Sequence, residues 1–324
     1  MFSIKINIVI KQLMVCIAVV YIQGCAVLTP SQVGAVSDFA TAAKDYSELP
    51  VTVMDIHTQS MFAENIYASA SLSDADLAAK KINKDVDIYI KSLDTFAQAE
   101  VALGVIDSYV QLLKKLTSAD FTKKLEQECA VLGTEIDGGV SQYNEITGAT
   151  MDGFGVIVAQ GVRASGGLVI RYKQAKALKR AVQSAQPIIK TISQSVTELM
   201  DLYICGAVDD QGDCILGDDD QPYPGFGQLV EQGLVTEYQS YLKSAKGNNS
   251  VKEIQIFSKL LLKAKSIKPL AQKTRLVIQT FQAAHTKLYE KTLERQDLDG
   301  TIEEIMVLYG EIRSAQRFGN VIGN

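Results

Sequence analysis

The stretch Ser73-Asp74-Ala75-Asp76-Leu77-Ala78-Ala79-Lys80-Lys81-Ile82-Asn83-Lys84-Asp85-Val86-Asp87-Ile88-Tyr89 decides the fold class. Its first residues offer hydroxyl and carboxylate oxygens to the unpaired N–H groups of a helix start, with negative charge at the positive end of the dipole. Ile82, Val86, Tyr89, Leu93 and Phe96 then recur at three- and four-residue steps, and Leu103, Ile106, Val110 and Leu113 continue the stripe. That spacing lines one face of an α-helix. The helix is expected to run to about Leu116, and about 40 residues at 1.5 Å each make a rod of roughly 60 Å. An all-α, elongated bundle of long amphipathic helices, coiled-coil-like in part, is the expected architecture.

Upstream, residues 31–71 keep the same period, with Val33, Val36, Phe39 and Ala43 in step. Pro50 there either kinks one long helix or opens the next. Downstream, Thr117-Ser118-Ala119-Asp120 reads as a turn into a helix over 120–144, weakened at Gly138-Gly139. Pro187 is expected to open a helix ending near Ile204. Further helices are expected at roughly 226–246, 251–266, 269–296 and 301–317, the longest burying Leu270, Val277, Phe281, Ala284 and Leu288. No alternating strand pattern stands out. Only 153–170, rich in glycine, and 206–227, rich in aspartate, break the helical pattern.

Hydrophobic residues make up 47 % of the 324-residue chain and charged residues 21 %, which fits an ordinary globular composition. The net charge of −5 argues against broad nucleic-acid binding. Catalytic signatures are scarce. There is no Gly-x-Ser-x-Gly elbow, no phosphate-cradling Gly-x4-Gly-Lys-Ser/Thr loop and no His-x3-His pair. The two histidines stand apart in sequence, with His285 expected at a bundle edge. The expectation is a protein that is not an enzyme, needs no cofactor and has no firmly predicted metal ligands.

The first 25 residues address the chain. Lys5 and Lys11 precede an uncharged apolar run from Leu13 to Ile22, and small Gly24 precedes Cys25. A basic start, a short apolar core and a small-residue end form the secretory-signal pattern, too short for a comfortable span. Ile22-Gln23-Gly24-Cys25 resembles the lipobox of bacterial lipoproteins. That resemblance implies removal of 1–24, a covalent lipid on Cys25, and one elongated helical domain over 25–324. Ala26 in place of aspartate implies outer-membrane sorting, facing the periplasm. Two or three acyl chains would hold the N-terminus, since one chain anchors marginally. Loss of Lys5 and Lys11 would take the net charge to −7, because residues 1–24 hold no acid.

In an oxidising compartment the remaining cysteines are Cys129, Cys205 and Cys214. Cys129 falls at helical spacing between Leu125 and Leu132, where a buried thiol is expected. Cys205 and Cys214 are nearest in sequence and are expected to form a disulfide across a polar loop. Within the irregular acidic stretch 206–227, Asp209, Asp213, Asp218 and Asp220 form a candidate weak calcium site. Cys214 stands where a calcium loop needs glycine and Asp220 where it needs bidentate glutamate, so a solvated loop is the plainer reading.

Gly153, Gly155, Gly161, Gly166 and Gly167 alternate with apolar residues, and the basic cluster Arg171, Lys173, Lys176, Lys179 and Arg180 follows. Small residues at four-residue spacing let helices approach closely, and buried packing is the expected role. An apolar, glycine-rich segment among long helices also resembles, in outline, helical pore-forming toxins of the cytolysin A and haemolysin BL type. That likeness implies membrane contact through 153–170 and the basic cluster. Arg163 makes a spanning helix expensive.

The functional expectation is therefore a non-enzymatic, tethered helical binding or scaffold lipoprotein of the cell envelope. Its partners are membrane lipid through the acylated N-terminus and an envelope protein, with homo-oligomerisation open and nucleic acid excluded. A membrane-active helical protein is the alternative.

Overall fold

The computed structural model describes residues 30–118, 123–160, 168–209, 213–217, 221–244, 250–293 and 299–323. The described chain is an all-α bundle. Its helices are α1 (Pro30–Ala42), α2 (Glu48–Ala70), α3 (Ala75–Leu116), α4 (Lys123–Thr147), α5 (Gly155–Gln160), α6 (Leu168–Ile204), α7 (Phe226–Lys243), α8 (Val251–Leu293) and α9 (Asp299–Gly323).

α3 begins as its sequence dictates. Asp74 is the N-cap, its Oδ1 accepting from the backbone N–H of Asp76 (2.8 Å) and Leu77 (3.1 Å). Lys114 and Lys115 in the last turn complement the negative end of the dipole. With 42 and 43 residues, α3 and α8 each extend about 63 Å. α2 runs antiparallel to α3, through Phe62–Tyr89 and Ser69–Asp85, and antiparallel to α8, through Gln59–Lys263 and Tyr67–Phe257. α3 and α8 therefore run the same way, and Tyr109 Oη, 2.8 Å from His285 Nε2, sets their C-termini at one end. Gln32 Nε2 donates to the Lys291 carbonyl (3.0 Å), so α1 enters the bundle at that same end. At the opposite end, Tyr67 of α2, Tyr238 of α7 and Phe257 of α8 form an aromatic staple. Tyr238 and Phe257 stack there with centroids 3.7 Å apart.

Several helix boundaries differ from expectation for one physical reason. Residues 31–71 divide into α1, a 3-10 turn over Ala43–Asp45, and α2, with Pro50 in the first turn of α2. A missing N–H there forfeits no intrahelical bond. Pro187, by contrast, opens nothing. It lies inside α6, as Pro269 lies inside α8, which runs unbroken where two helices are expected. Around Pro187 the face Val182, Ala185, Ile188, Ile189 and Ile192 is fully buried, and Ile267, Leu270 and Ala271 do the same around Pro269. Burying a large aliphatic side chain contributes about 1.5–3 kcal/mol, so several of them outweigh the roughly 3 kcal/mol of an interior proline.

The apolar stripe of α3 is buried for only part of its length. Leu103, Ile106, Val110 and Leu113 are core residues, whereas Ile82 is 47 % exposed and Val86, Tyr89 and Phe96 are half-buried. Between Ala75 and about Lys91 the helix has α2 along one side, with Phe62 against Tyr89 at 5.1 Å and Ser69 beside Asp85. Periodicity identified the helix and its face correctly, but not how many neighbours would cover that face.

Candidate functional site

The basic cluster belongs to the end of the bundle where the chain enters. Buried Gln174 donates from Nε2 to the carbonyls of Ser118 (3.1 Å) and Leu116 (3.4 Å), holding the start of α6 against the end of α3. Lys173 is half-buried there and Lys176 exposed, beside exposed Lys114 at the end of α3 and exposed Lys123 and Lys124 at the start of α4. Lys115 and Lys124 both engage Glu128, the latter at 4.0 Å. Further along α6, Lys179 is half-buried and Arg180 exposed, on helical turns that follow Arg171. Cys25 lies outside the described residues, five positions before the first residue of α1.

The described part of the glycine-rich segment packs inward. Phe154 and Val158 are buried, and α5 meets α4 backbone to backbone at Gly155 and Gly133. Asp137 of α4 caps α5, with Oδ1 accepting from Gly155 N (2.7 Å) and Oδ2 from Val156 N (3.0 Å). Residues 161–167 lie outside the described residues. No helix among the described residues is long and apolar enough to cross a membrane.

The aspartate-rich stretch is ordered where it is described, which corrects the expectation of an irregular loop. Three short segments each bridge antiparallel to the other two, through Cys205 and Pro224, Val208 and Cys214, and Leu216 and Pro222. Backbone bonds from Ile215 N to Ala207 O (3.0 Å), Tyr223 N to Ile215 O (3.3 Å) and Gly206 N to Tyr223 O (2.9 Å) close this knuckle. Cys205 and Cys214 stand at disulfide distance, with Cα atoms 5.9 Å apart. Gly225 is required at its base, because a Cβ there would meet the backbone of Tyr203, Ile204 and Cys205 at 2.6–2.8 Å. The turn residues were the readable signal: Asp and Gly between short apolar pairs mark tight reversals.

The candidate calcium ligands are only partly visible. Asp209 Oδ1 accepts from the backbone N–H of Asp213 (3.0 Å), so its carboxylate closes the turn. Asp218 and Asp220 lie outside the described residues. Among the described residues no group of three or more His, Cys, Asp or Glu side chains could hold a metal ion.

A second feature has no sequence signature. An open groove of about 500 Å³ between α2 and α3 is lined by Glu48, Glu100 and Asp107 with Ser47, Thr52 and Gly104. Its acids come from positions about fifty apart, so only the fold brings them together.

The histidines take different surroundings. His285 is fully buried, which corrects its expected place at a bundle edge. Its Nδ1 donates to Gln186 Oε1 (2.7 Å), its Nε2 accepts from the Tyr109 hydroxyl, and Gln186 Nε2 donates to Thr286 Oγ1 (3.1 Å). Every ring nitrogen is satisfied in the neutral form. Half-buried His57 packs against Tyr203 and Phe226 at 5.1 and 5.9 Å. Burial lowers the pKa of His285 from 6.5 to about 3 and that of His57 to about 4.

Both values fall below those of the unfolded chain, so this stability is complete above about pH 6.5 and is lost as pH falls toward 4 and 3. For His285 alone the loss at pH 4.5 is about 3 kcal/mol. Urea midpoints at pH 7 and 4.5 should differ accordingly in the wild type, and His285→Gln should flatten the difference. Equal pH dependence in both proteins would reject the buried neutral histidine.

No protein-family model matches the chain, and no significant match is found among curated proteins or solved structures.

Proposed function

We propose that this chain is a bacterial cell-envelope lipoprotein, tethered through acylated Cys25 and acting as a non-enzymatic helical adaptor that holds a protein partner away from the membrane. The observation carrying this reading is the polarity of the bundle. α1 enters at the end where Lys114, Lys123, Lys124, Lys173 and Lys176 gather. Four residues separate Cys25 from α1, and a short tether would bring that end to the lipid surface. Lysines near an anionic leaflet contribute about 1 kcal/mol each, reinforcing the acyl chains. The opposite ends of α3 and α8 would then stand about 60 Å out. In Gram-negative cells the absence of aspartate after Cys25 favours the outer membrane, with the bundle facing the periplasm.

Metabolic labelling with an alkyne palmitate tests the anchor. Wild-type chain should carry label and sediment with membranes, and Cys25→Ala should lose both. Label retained on Cys25→Ala, or wild-type chain left soluble and unlabelled, would overturn the tether. In-cell crosslinking of the same pair should recover an envelope protein that depends on Cys25.

A further inference from the structure

We infer that the seam between α2 and α7 is an acid-operated latch, in which protonation of His57 releases α7 from α2 while the rest of the bundle stays folded. The latch does not depend on the lipid anchor.

Three contacts define the seam. His57 packs against Phe226 at 5.9 Å, the Glu64 carboxylate lies against Gly233 where a Cβ would meet it, and Tyr67 meets Tyr238 at 5.1 Å. These pairs advance together along both helices, so α2 and α7 run parallel. His57, Ser60, Glu64 and Tyr67 follow one another at steps of three, four and three residues, the spacing of a helix–helix seam. Apolar side chains fill such positions in a stable pair, and here His57, Ser60 and Glu64 are polar. His57 Nδ1, Ser60 Oγ and Tyr238 Oη are buried without a hydrogen-bond partner among the described residues, which weakens the seam further. α7 itself buries only Gly227, Val230, Leu234 and Tyr238, whereas α8 buries thirteen residues. An element with few buried contacts opens before the core does.

An imidazolium at His57 would lack a counter-charge. On α2, Asp55 is exposed and Glu64 is seven positions on. On α6, Glu198 is exposed, Asp201 is engaged by Arg275 of α8 at 3.0 Å, and burial raises the pKa of the Tyr203 hydroxyl, which stays protonated. On α7, Glu231 is engaged by Lys265 of α8 at 3.6 Å, and Lys268 of α8 packs on Gly227. In the knuckle, the Asp209 carboxylate accepts from the Asp213 amide. Burial lowers the His57 pKa to about 4, and no charged group offsets it. That value lies below the unfolded one, so this part of the seam's stability is complete above about pH 6.5 and is lost as pH falls toward 4. Glu64 acts in the opposite sense. Burial and then Glu237 raise its carboxyl, against Lys81, so its contribution is present at low pH and lost as pH rises through the raised value. The latch therefore holds best in mild acid and opens below it. His285 follows only in stronger acid, at about 3, with both ring nitrogens bonded.

Hydrogen exchange of the full chain carrying Cys25→Ala, read by mass spectrometry and corrected for intrinsic rates, tests the latch. Amides of α7 should exchange through a smaller opening than those of Leu103–Leu116 in α3, and that opening should rise about tenfold or more between pH 6 and 4.5. His57→Phe keeps a ring against Tyr203 and Phe226 without a titrating group, and should abolish the rise in α7 while leaving any rise in α3. His285→Gln should do the reverse. Glu64→Gln should make α7 harder to open at pH 7 and leave the rise at pH 4.5 in place. Equal protection of α7 and Leu103–Leu116 at every pH would mean that only the whole bundle opens, and would overturn the latch. The same rise in His57→Phe as in the parent chain would overturn it too. If His57→Phe does not fold, the two histidines still give two imidazole Cε1–H resonances, assigned with His285→Gln. A His57 ring that titrates near 6.5 in the folded chain would then reject the latch.

Discussion

Gly133→Ala and Gly155→Ala should each destabilise the protein by about 2–3 kcal/mol, whereas Gly138→Ala on the same helix should stabilise it by about 0.5–1 kcal/mol. A Cβ on Gly133 would stand 2.5 Å from the carbonyl oxygen of Gly155, and one on Gly155 would press on the Gly133 backbone. Neither neighbour is a flexible side chain that can turn aside. One helix must back away, taking with it the Asp137 carboxylate that caps α5 and the packing of Phe154 and Val158. At Gly138 nothing lies within 4 Å of the added methyl, so the change only removes backbone freedom from the unfolded chain. Urea denaturation of the three variants separates these effects. Three similar midpoints would mean that α4 and α5 do not meet backbone to backbone.

That contact also shows how far the sequence could be read. Gly155 and Ala159, and Gly161 and Ser165, at four-residue spacing signalled close helix packing, and Gly155 meets Gly133 that way, with Val158 buried beside it. The partner position could not be read, because Gly133 is one glycine among several on α4 and spacing along one helix says nothing about its neighbour. The same limit explains α3. A stripe from Ile82 to Leu113 defines a helix and a face, but how fully that face is covered is a tertiary fact: Leu113 is fully buried, whereas Ile82 is 47 % exposed.

Proline misled for a related reason. Local rules make Pro187 a helix opener and a break between 266 and 269 was expected, yet continuous apolar faces on either side of Pro187 and Pro269 keep α6 and α8 whole. The Cys205–Cys214 pairing was legible because the two lie nine positions apart, a short closure. The bridges of the knuckle were not, since segments of three or four residues are too short for a period. The acidic groove could not be anticipated at all, its carboxylates being joined only by the pairing of α2 with α3.

The second large effect concerns a charge pair inside the bundle. Arg275→Met should destabilise the protein by about 3–5 kcal/mol, and Asp201→Leu/Arg275→Met should recover most of that loss. Arg275 Nε lies 3.0 Å from Asp201 Oδ1, and the Asp201 side chain is only 4 % exposed, at the last turn of α6 against α8. Burial pushes the Asp201 carboxyl up from its ordinary value, and the Arg275 guanidinium opposes that push. Without Arg275 the carboxylate keeps its desolvation penalty and loses its counter-charge. Replacing both by apolar groups of similar size removes the penalty together with the attraction. The sign of the pH dependence gives an independent check. In the single variant the carboxyl of the folded state has a raised pKa, so its instability is greatest at neutral pH and eases as acid protonates Asp201. Guanidinium midpoints at pH 7 and 5 should therefore converge on the wild type at the lower pH for Arg275→Met and remain apart by a constant amount for the double variant. A single variant as stable as wild type at pH 7 would mean that Asp201 is hydrated and that the pair contributes no more than a surface ion pair.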